Sequence, residues 1–223
     1  MSHLTSAHKS LLGFAFIAAA GYLFLPLNEG SLPFIIIKPL CCLFLAILAF
    51  LTVKESKTQK LLVLALLMSG LGDIFLAIRS SDFFVQGLGS FLIAHLLYIA
   101  LFARARSWSQ PPAYKTLLTG LVIIFSVGMM WILWPLLGAL KAPVYLYISV
   151  ITLMVISAIY SRFNSILVIA GALSFLFSDA TIAINKFVEP FAAASPFVWV
   201  TYTGAQILLT LAIIKGPDTK NAD

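Results

Sequence analysis

Four ionisable side chains lie inside long apolar stretches of this sequence: Lys38, Asp73, His95 and Asp179. An ionised side chain in the hydrocarbon of a membrane costs about 2.5 to 3.5 kcal/mol on insertion scales, so such residues usually serve a function. Two carboxyl groups close together repel each other, and a nearby ammonium group keeps one of them ionised. The pair then offers a proton donor and a proton acceptor, which predicts acid–base hydrolysis at an acetal-like carbon.

Two other interpretations of these residues stay open at the level of sequence. Lys38 could simply neutralise one aspartate as a structural ion pair. Alternatively, aspartate, histidine and tyrosine side chains could form a proton relay in a small transporter.

Depth along the predicted helices places these groups in the outer half of the membrane. With a rise of about 1.5 Å per residue, Lys38, Asp73 and Asp179 lie about 6 to 8 Å below the outer ends of their spans. The other polar residues that join them are Tyr147, Tyr202 and Gln206, with His95 and Tyr98 nearer the midplane. We therefore expect one cavity that is open to the outer leaflet, with His95 at its floor.

Metal and nucleophilic chemistry receive little support. Two of the three histidines, His3 and His8, lie in the amino-terminal tail, so a zinc site built from several imidazoles is not expected. Coordination by the two aspartates and His95 is formally open but is a weak pattern. Ser178 and Asp179 are helix neighbours that point about 100° apart, so they are no nucleophile–base pair. No GxSxG or P-loop motif occurs, and we expect neither a metal nor a cofactor.

The elements that must position these residues are membrane-spanning helices. The chain has 223 residues, of which 61% are hydrophobic and 10% charged, and this excludes a water-soluble domain. Eight apolar stretches are each long enough to cross a membrane, and they do not alternate as the strands of a transmembrane barrel do. The predicted spans are Leu11 to Leu27, Phe34 to Val53, Leu61 to Ile78, Phe84 to Ala103, Tyr114 to Trp134, Pro143 to Tyr160, Ile166 to Ile184 and Pro196 to Ile214. The fold class is therefore all-α, a polytopic membrane protein with eight transmembrane helices.

Basic residues in the loops predict the orientation and account for the net charge of +6. With the amino terminus in the cytoplasm, ten lysine and arginine residues fall in cytoplasmic segments and three in the opposite loops. The ten are Lys9, Lys54, Lys57, Lys60, Arg104, Arg106, Lys115, Arg162, Lys215 and Lys220; the three are Arg79, Lys141 and Lys186. Both termini are thus expected in the cytoplasm, and a nucleic-acid partner is not.

A faint repeat relates the two halves of the chain. The segment GDIFLAI around Asp73 aligns with SDATIAI around Asp179, four spans later and in the same direction. One interpretation is a four-plus-four parallel duplication within a single eight-helix transmembrane domain, residues 1–223. The glycines near the first aspartate and in the next span, Gly70, Gly72, Gly87 and Gly89, are most simply interpreted as close-packing positions between helices.

An ordered set of motifs resembles a known family. The set consists of Lys38-Pro39, GDIFL from Gly72, AHLLY from Ala94, Ser178-Asp179 followed by Asn185, and Tyr202 with Gln206 in YTGAQ. Together these motifs resemble the lysoplasmalogenase (YhhN-like) family of integral membrane proteins, over the chain from about Lys38 to Gln206.

The resemblance implies hydrolysis of the vinyl ether bond of lysoplasmalogen, a lysophospholipid, within the lipid bilayer. Asp73 and Asp179 would then supply the acid and the base, with the choice between them open, and His95 and Tyr98 would orient the carboxyl groups or water. Lys38 would keep the base ionised or contact the phosphate. The remaining substrate-binding or orienting positions are Tyr147, Asn185, Tyr202 and Gln206.

The competing interpretation is a small proton-coupled transporter or a lipid-binding membrane protein that uses the same polar residues. Transporters often interrupt their spans with glycine and proline near the midplane. Here the prolines cluster at span ends, which favours the enzyme. A bacterial inner membrane is the expected location, and the sequence leaves the oligomeric state open.

Overall fold

Eight α-helices make up most of the computed structural model, which describes residues 5–25, 28–78, 83–106, 110–163 and 165–217. In order they are α1 Ser6–Phe24, α2 Leu32–Thr52, α3 Ser56–Ala77, α4 Phe84–Arg104, α5 Ala113–Leu133, α6 Lys141–Ile159, α7 Ser165–Phe187 and α8 Ala194–Ile214, with a 3-10 turn Gly138–Leu140 before α6. All eight are long and apolar enough to cross a membrane, so the predicted all-α class with eight spans is confirmed. The side on which the termini lie stays a prediction. His3, Arg79 and Lys220 lie outside the described residues.

Polar capping groups explain why some helices begin earlier than the apolar pattern indicates. Helix α1 starts at Ser6, five residues before the predicted start, because Thr5 and His8 cap its first turn reciprocally. The Thr5 side chain accepts from the His8 backbone N–H at 3.4 Å, and His8 Nδ1 accepts from the Thr5 N–H at 3.3 Å. Helix α3 likewise starts at Ser56, since the Glu55 carboxylate accepts from the backbone N–H groups of the first turn.

The chain divides into two compact units, Met1–Leu101 and Phe102–Asp223. In the first unit, α2 packs against both α1 and α3. A Cβ atom at Gly72 would lie 2.6 Å from the ring of Phe91, and one at Gly87 would lie 2.7 Å from the side chain of Leu76. The backbones of α3 and α4 therefore approach too closely at these levels for a larger residue.

Three of the four glycines that the sequence assigns to close packing do lie in helix contacts. Gly70 faces Pro39 and Cys42 of α2, where a Cβ atom would meet their Cβ atoms at 3.4 and 3.6 Å. Gly72 and Gly87 lie between α3 and α4. The interpretation was wrong for Gly89, because nothing lies within 4 Å of a Cβ atom built there.

In the second unit, α6 packs against α5 and α7, and α7 packs against α8. The α5–α6 contact includes a hydrogen bond from the Thr152 hydroxyl to the Ser126 hydroxyl at 2.7 Å. The α7–α8 contact is closest at Gly171, where a Cβ atom would lie 2.9 Å from Leu209 Cγ and 3.2 Å from the Ala205 carbonyl oxygen.

Backbone contacts join three chain segments at one end of this second unit. The Arg162 N–H donates to the Ala105 carbonyl at 2.7 Å. Isolated antiparallel bridges pair Arg106 with Ser161 and Phe163 with Pro217. These links hold together the end of α4, the connection from α6 to α7 and the segment that follows α8.

The helix positions repeat along the chain. Asp179 follows Asp73 by 106 residues. When 106 is subtracted from the residue numbers of α5–α8, each helix start and end falls within four residues of the corresponding start or end in α1–α4. The two carboxyl groups thus occupy equivalent positions, near the ends of α3 and α7. A four-plus-four duplication stays a prediction, and this spacing supports it.

Candidate functional site

The second unit holds a short hydrogen bond between two of the residues that the sequence singles out. The Tyr147 hydroxyl of α6 donates to Asp179 Oδ2 of α7 at 2.5 Å. Tyr147 is buried and Asp179 is partly buried. The sequence predicts both residues at similar depth, and the structure adds that they are direct partners.

Ser178 faces a different helix from its neighbour Asp179. Its hydroxyl donates to the Val198 carbonyl oxygen of α8 at 3.1 Å, and Ser178 is fully buried. The carboxyl group of Asp179 contacts α6 instead. The two side chains diverge as the helical geometry requires, so Ser178 fixes the α7–α8 contact and leaves Asp179 available for chemistry.

Tyr202 and Gln206 lie one turn apart on α8, and both are buried. The Tyr202 ring packs edge-on against Phe175 of α7, with ring centroids 5.4 Å apart, and lies 6.0 Å from the ring of Trp199. These aromatic contacts fix the orientation of Tyr202. The sequence analysis did not identify Phe175 and Trp199. Phe175 stands three residues before Ser178, and Trp199 three before Tyr202, so each shares a helix face with a residue that was identified.

Asn185 lies in the last turn of α7 and contacts the loop that follows. Its Oδ1 accepts a hydrogen bond from the Phe191 N–H at 3.0 Å. The side chain thereby fixes the turn between α7 and α8. A role for Asn185 in substrate binding stays a prediction, and the structure gives this residue a local structural role.

In the first unit, Asp73 lies near the end of α3 and is 5% exposed. The thiol of Cys41 in α2 lies within electrostatic range of its carboxyl group. Cys41 precedes Tyr147 by the same 106 residues that separate Asp73 from Asp179. Each carboxyl group thus has a neighbour at the equivalent position of the preceding helix.

Lys38 lies in the second turn of α2, where its ammonium group contacts aromatic rings. The Nζ atom lies 5.3 Å from the ring centroids of both Tyr22 in α1 and Phe34 in α2. The two rings are 5.3 Å apart. An ion pair between Lys38 and an aspartate, one of the alternatives that the sequence leaves open, is not among the contacts found for the described residues, where two aromatic rings face the ammonium group.

Tyr22 and Phe34 were missed at the sequence level. Phe34 stands four residues before Lys38 and therefore on the same face of a helix, which was a usable signal. Tyr22 offered only its place near the outer end of the first span.

His95 and Tyr98 are fully buried in α4. The Tyr98 hydroxyl lies within electrostatic range of the Cys42 thiol in α2. Both residues therefore belong to the interior of the first unit, as their predicted depth requires. Among the residues that the structure describes, no group of three or more histidine, cysteine, aspartate or glutamate side chains is arranged to hold a metal ion.

The comparison with protein families decides the relationship. The model of the YhhN family matches residues 34–213, a segment that runs from Phe34 beside Lys38 to the end of α8. This chain belongs to the YhhN family.

Relatives of this YhhN-family chain that are named lysoplasmalogenase occur in bacteria and mammals. The chain is 34% identical over 163 residues to a protein of Mycobacterium bovis named lysoplasmalogenase. This match covers 72% of this chain and 62% of the relative. The chain is 33% identical over 209 residues to human lysoplasmalogenase TMEM86A, covering 86% of this chain and 83% of the relative. Human lysoplasmalogenase TMEM86B is 29% identical over 200 residues, and this match covers 89% of this chain and 83% of the relative.

The match spans less than two thirds of the length of the mycobacterial relative. No solved structure matches the chain. Family membership and the multi-pass membrane architecture are thus established, and the activity is a matter of proposal.

Proposed function

We propose that this protein hydrolyses the vinyl ether bond of lysoplasmalogen, releasing a fatty aldehyde and glycerophosphoethanolamine or glycerophosphocholine. The main support is that relatives named lysoplasmalogenase, one from Mycobacterium bovis and one from human, are 34% and 33% identical to this chain over 72% and 86% of its length. Asp73 on α3 is buried and Asp179 on α7 is partly buried, and carboxyl groups can supply the acid and the base that such a reaction needs.

The reaction adds one water molecule across an electron-rich double bond. A proton adds to the vinyl carbon that is remote from the ether oxygen, and this leaves an oxocarbenium ion. Water then attacks the carbon attached to oxygen and loses a proton to a base. The resulting hemiacetal breaks its bond to the glycerol oxygen, giving an aldehyde and a free glycerol hydroxyl. The protein must supply a proton donor, a proton acceptor and a negative charge near the cation.

Asp179 is the proposed acceptor and stabilising carboxylate. It accepts the hydrogen bond of Tyr147, and this bond holds its carboxyl group in position. Asp73 is the proposed donor because it is the more buried of the two, and in enzymes with two carboxyl groups the donor occupies the less polar surroundings.

The remaining polar residues would orient the reactants. His95 and Tyr98 are assigned to positioning water or the carboxyl group of Asp73. Tyr202 and Gln206, on one face of α8, are assigned to the glycerol hydroxyl groups. The lipid chain would lie among apolar helix faces and enter from the bilayer, which suits an amphiphile with one chain. We assign the protein to a bacterial inner membrane, and fractionation of the producing cells tests this.

Aldehyde release from purified protein tests the activity, with the saturated ether lysolipid as the control substrate. We expect aldehyde from the vinyl ether alone. Asp73→Asn and Asp179→Asn should each lower kcat/KM by about 10²- to 10⁴-fold, the range for a lost acid or base. Glu189→Gln, which changes an exposed carboxylate in the loop after α7, is the matched control and should retain the activity.

The double variant adds a second criterion. If both carboxyl groups act in one reaction, the Asp73→Asn/Asp179→Asn protein loses little more than the more severe single variant, because groups that act as a unit are not additive. Full activity in either folded single variant contradicts the assignment. Uptake of unaltered substrate into proteoliposomes, without any aldehyde, would instead support the transporter.

A further inference from the structure

We propose that Lys38, held between the rings of Tyr22 and Phe34, binds the phosphate group of the lysophospholipid substrate. The inference rests on the proposed function, and it separates two roles that the sequence left open for Lys38. The geometry favours an anion from the ligand over a carboxylate of the protein.

Among the described residues, it is aromatic rings that face the ammonium group of Lys38. The side chain is partly buried near the beginning of α2, and both of its close contacts are ring faces. The attraction of a cation to an aromatic ring is weaker than the cost of inserting a lysine side chain into a membrane. Aromatic rings also provide no oxygen atoms for the three N–H donors of an ammonium group.

The two rings restrict where the ammonium group can lie. They come from different helices, with centroids 5.3 Å apart and planes inclined by 45°. Phe34 is itself buried, which limits movement of the ring. A phosphate that approaches Lys38 therefore meets a cation whose position is already fixed, and less side-chain entropy is lost on binding.

The position of Lys38 along α2 suits the length of the substrate. Cys41, whose thiol lies within electrostatic range of the Asp73 carboxyl group, follows Lys38 by three residues, almost one turn of the helix. In lysoplasmalogen, the three carbons of glycerol separate the phosphate ester from the vinyl ether oxygen. A headgroup anchored at Lys38 thus places the vinyl ether toward the level of Asp73 rather than away from it.

Equilibrium binding to the intact protein tests this proposal without any hydrolysis. The probes are a radiolabelled saturated alkyl-ether lysophosphatidylethanolamine and the alkylglycerol with the same chain, which lacks the phosphate. Lys38→Met should weaken binding of the phospholipid by about tenfold to a hundredfold, the effect of losing a charge-assisted hydrogen bond, and should change alkylglycerol binding less than twofold. Lys38→Arg should retain most of the phospholipid affinity.

The aromatic rings provide a second test that keeps the charge. Tyr22→Leu should weaken phospholipid binding selectively, whereas Tyr22→Phe, which keeps the ring, should not. Equal losses for both probes in Lys38→Met, or no loss for the phospholipid, would overturn the proposal. Binding of labelled inorganic phosphate as tight as that of the phospholipid would assign the site to free phosphate and also overturn the proposal.

Lipid binding and aldehyde release test the phosphate site and the hydrolase activity separately. A protein that binds the phospholipid through Lys38 but releases no aldehyde from the vinyl ether supports the phosphate site and contradicts the hydrolase. A Lys38→Met protein that still releases aldehyde with an unchanged KM supports the hydrolase and contradicts the phosphate site.

Discussion

The hydrogen bond between Tyr147 and Asp179 is the best-defined polar contact among the candidate site residues. It joins α6 to α7 at the position where the proposed mechanism needs a carboxylate of fixed orientation. Sequence reasoning placed both residues at one depth from the helical rise alone. It could not pair them, because the rotation of each helix about its axis is set by packing.

Removing this hydroxyl should affect catalysis more than folding. We expect Tyr147→Phe to lower kcat/KM by about tenfold to a hundredfold, because a hydrogen bond to a charged group contributes about 1.5 to 3 kcal/mol. The measurement is initial aldehyde release at several substrate concentrations.

Tyr145→Phe is the matched control on the same helix. The Tyr145 hydroxyl donates to the Met130 carbonyl oxygen at 2.6 Å, so its loss removes a comparable bond that does not involve Asp179. Similar rate losses in the two variants, or a loss of folded Tyr147→Phe protein large enough to explain the rate, would show that Tyr147 serves stability alone.

Close approach between α3 and α4 fixes the surroundings of Asp73. Gly72, the residue before it, faces the buried ring of Phe91. The sequence identified glycine as a packing signal, and it did so correctly at three of four positions. It could not separate Gly87 from Gly89, because only the rotation of α4 decides which glycine meets its neighbour.

Adding a methyl group at this contact should destabilise the protein. Gly72→Ala places a Cβ atom within 2.6 Å of Phe91, and overpacking of this kind costs about 1 to 3 kcal/mol. We expect a lower thermal unfolding midpoint in detergent and partial recovery when Phe91→Leu is added.

Gly89→Ala is the control for this experiment, because its added methyl group meets nothing within 4 Å. Replacing glycine by alanine inside a helix favours the helix by about 1 kcal/mol, so this variant should unfold at the same temperature or higher. A Gly72→Ala protein as stable as Gly89→Ala would contradict the close α3–α4 contact.

At the scale of the whole molecule, composition predicted the number and type of elements. All eight spans were found, and α4 begins at Phe84 and α8 ends at Ile214, as their apolar patterns indicate. The largest errors, five residues each at the starts of α1 and α3, arose because capped polar turns extend both helices beyond their apolar runs. Hydropathy detects the apolar stretch of a helix and not the turns on either side of it.

The basic residues in the loops also predict how the whole chain is oriented in the membrane. Lys54, Lys57 and Lys60 flank the connection between α2 and α3, so this connection and both termini should be cytoplasmic. A green fluorescent protein fused after the carboxyl terminus should fluoresce, and alkaline phosphatase inserted at Gly138 should be active. If the phosphatase were active at the carboxyl terminus and inactive at Gly138, the chain would have the opposite topology.

The backbone links at one end of the second unit limit how its helices can move. They join the end of α4, the α6–α7 connection and the segment after α8 through Ala105, Arg162 and two short bridges. An alternating-access cycle needs helices to separate at each end in turn. Separation at this end would break main-chain hydrogen bonds on every cycle, which argues against a transporter that opens this unit at both ends in turn.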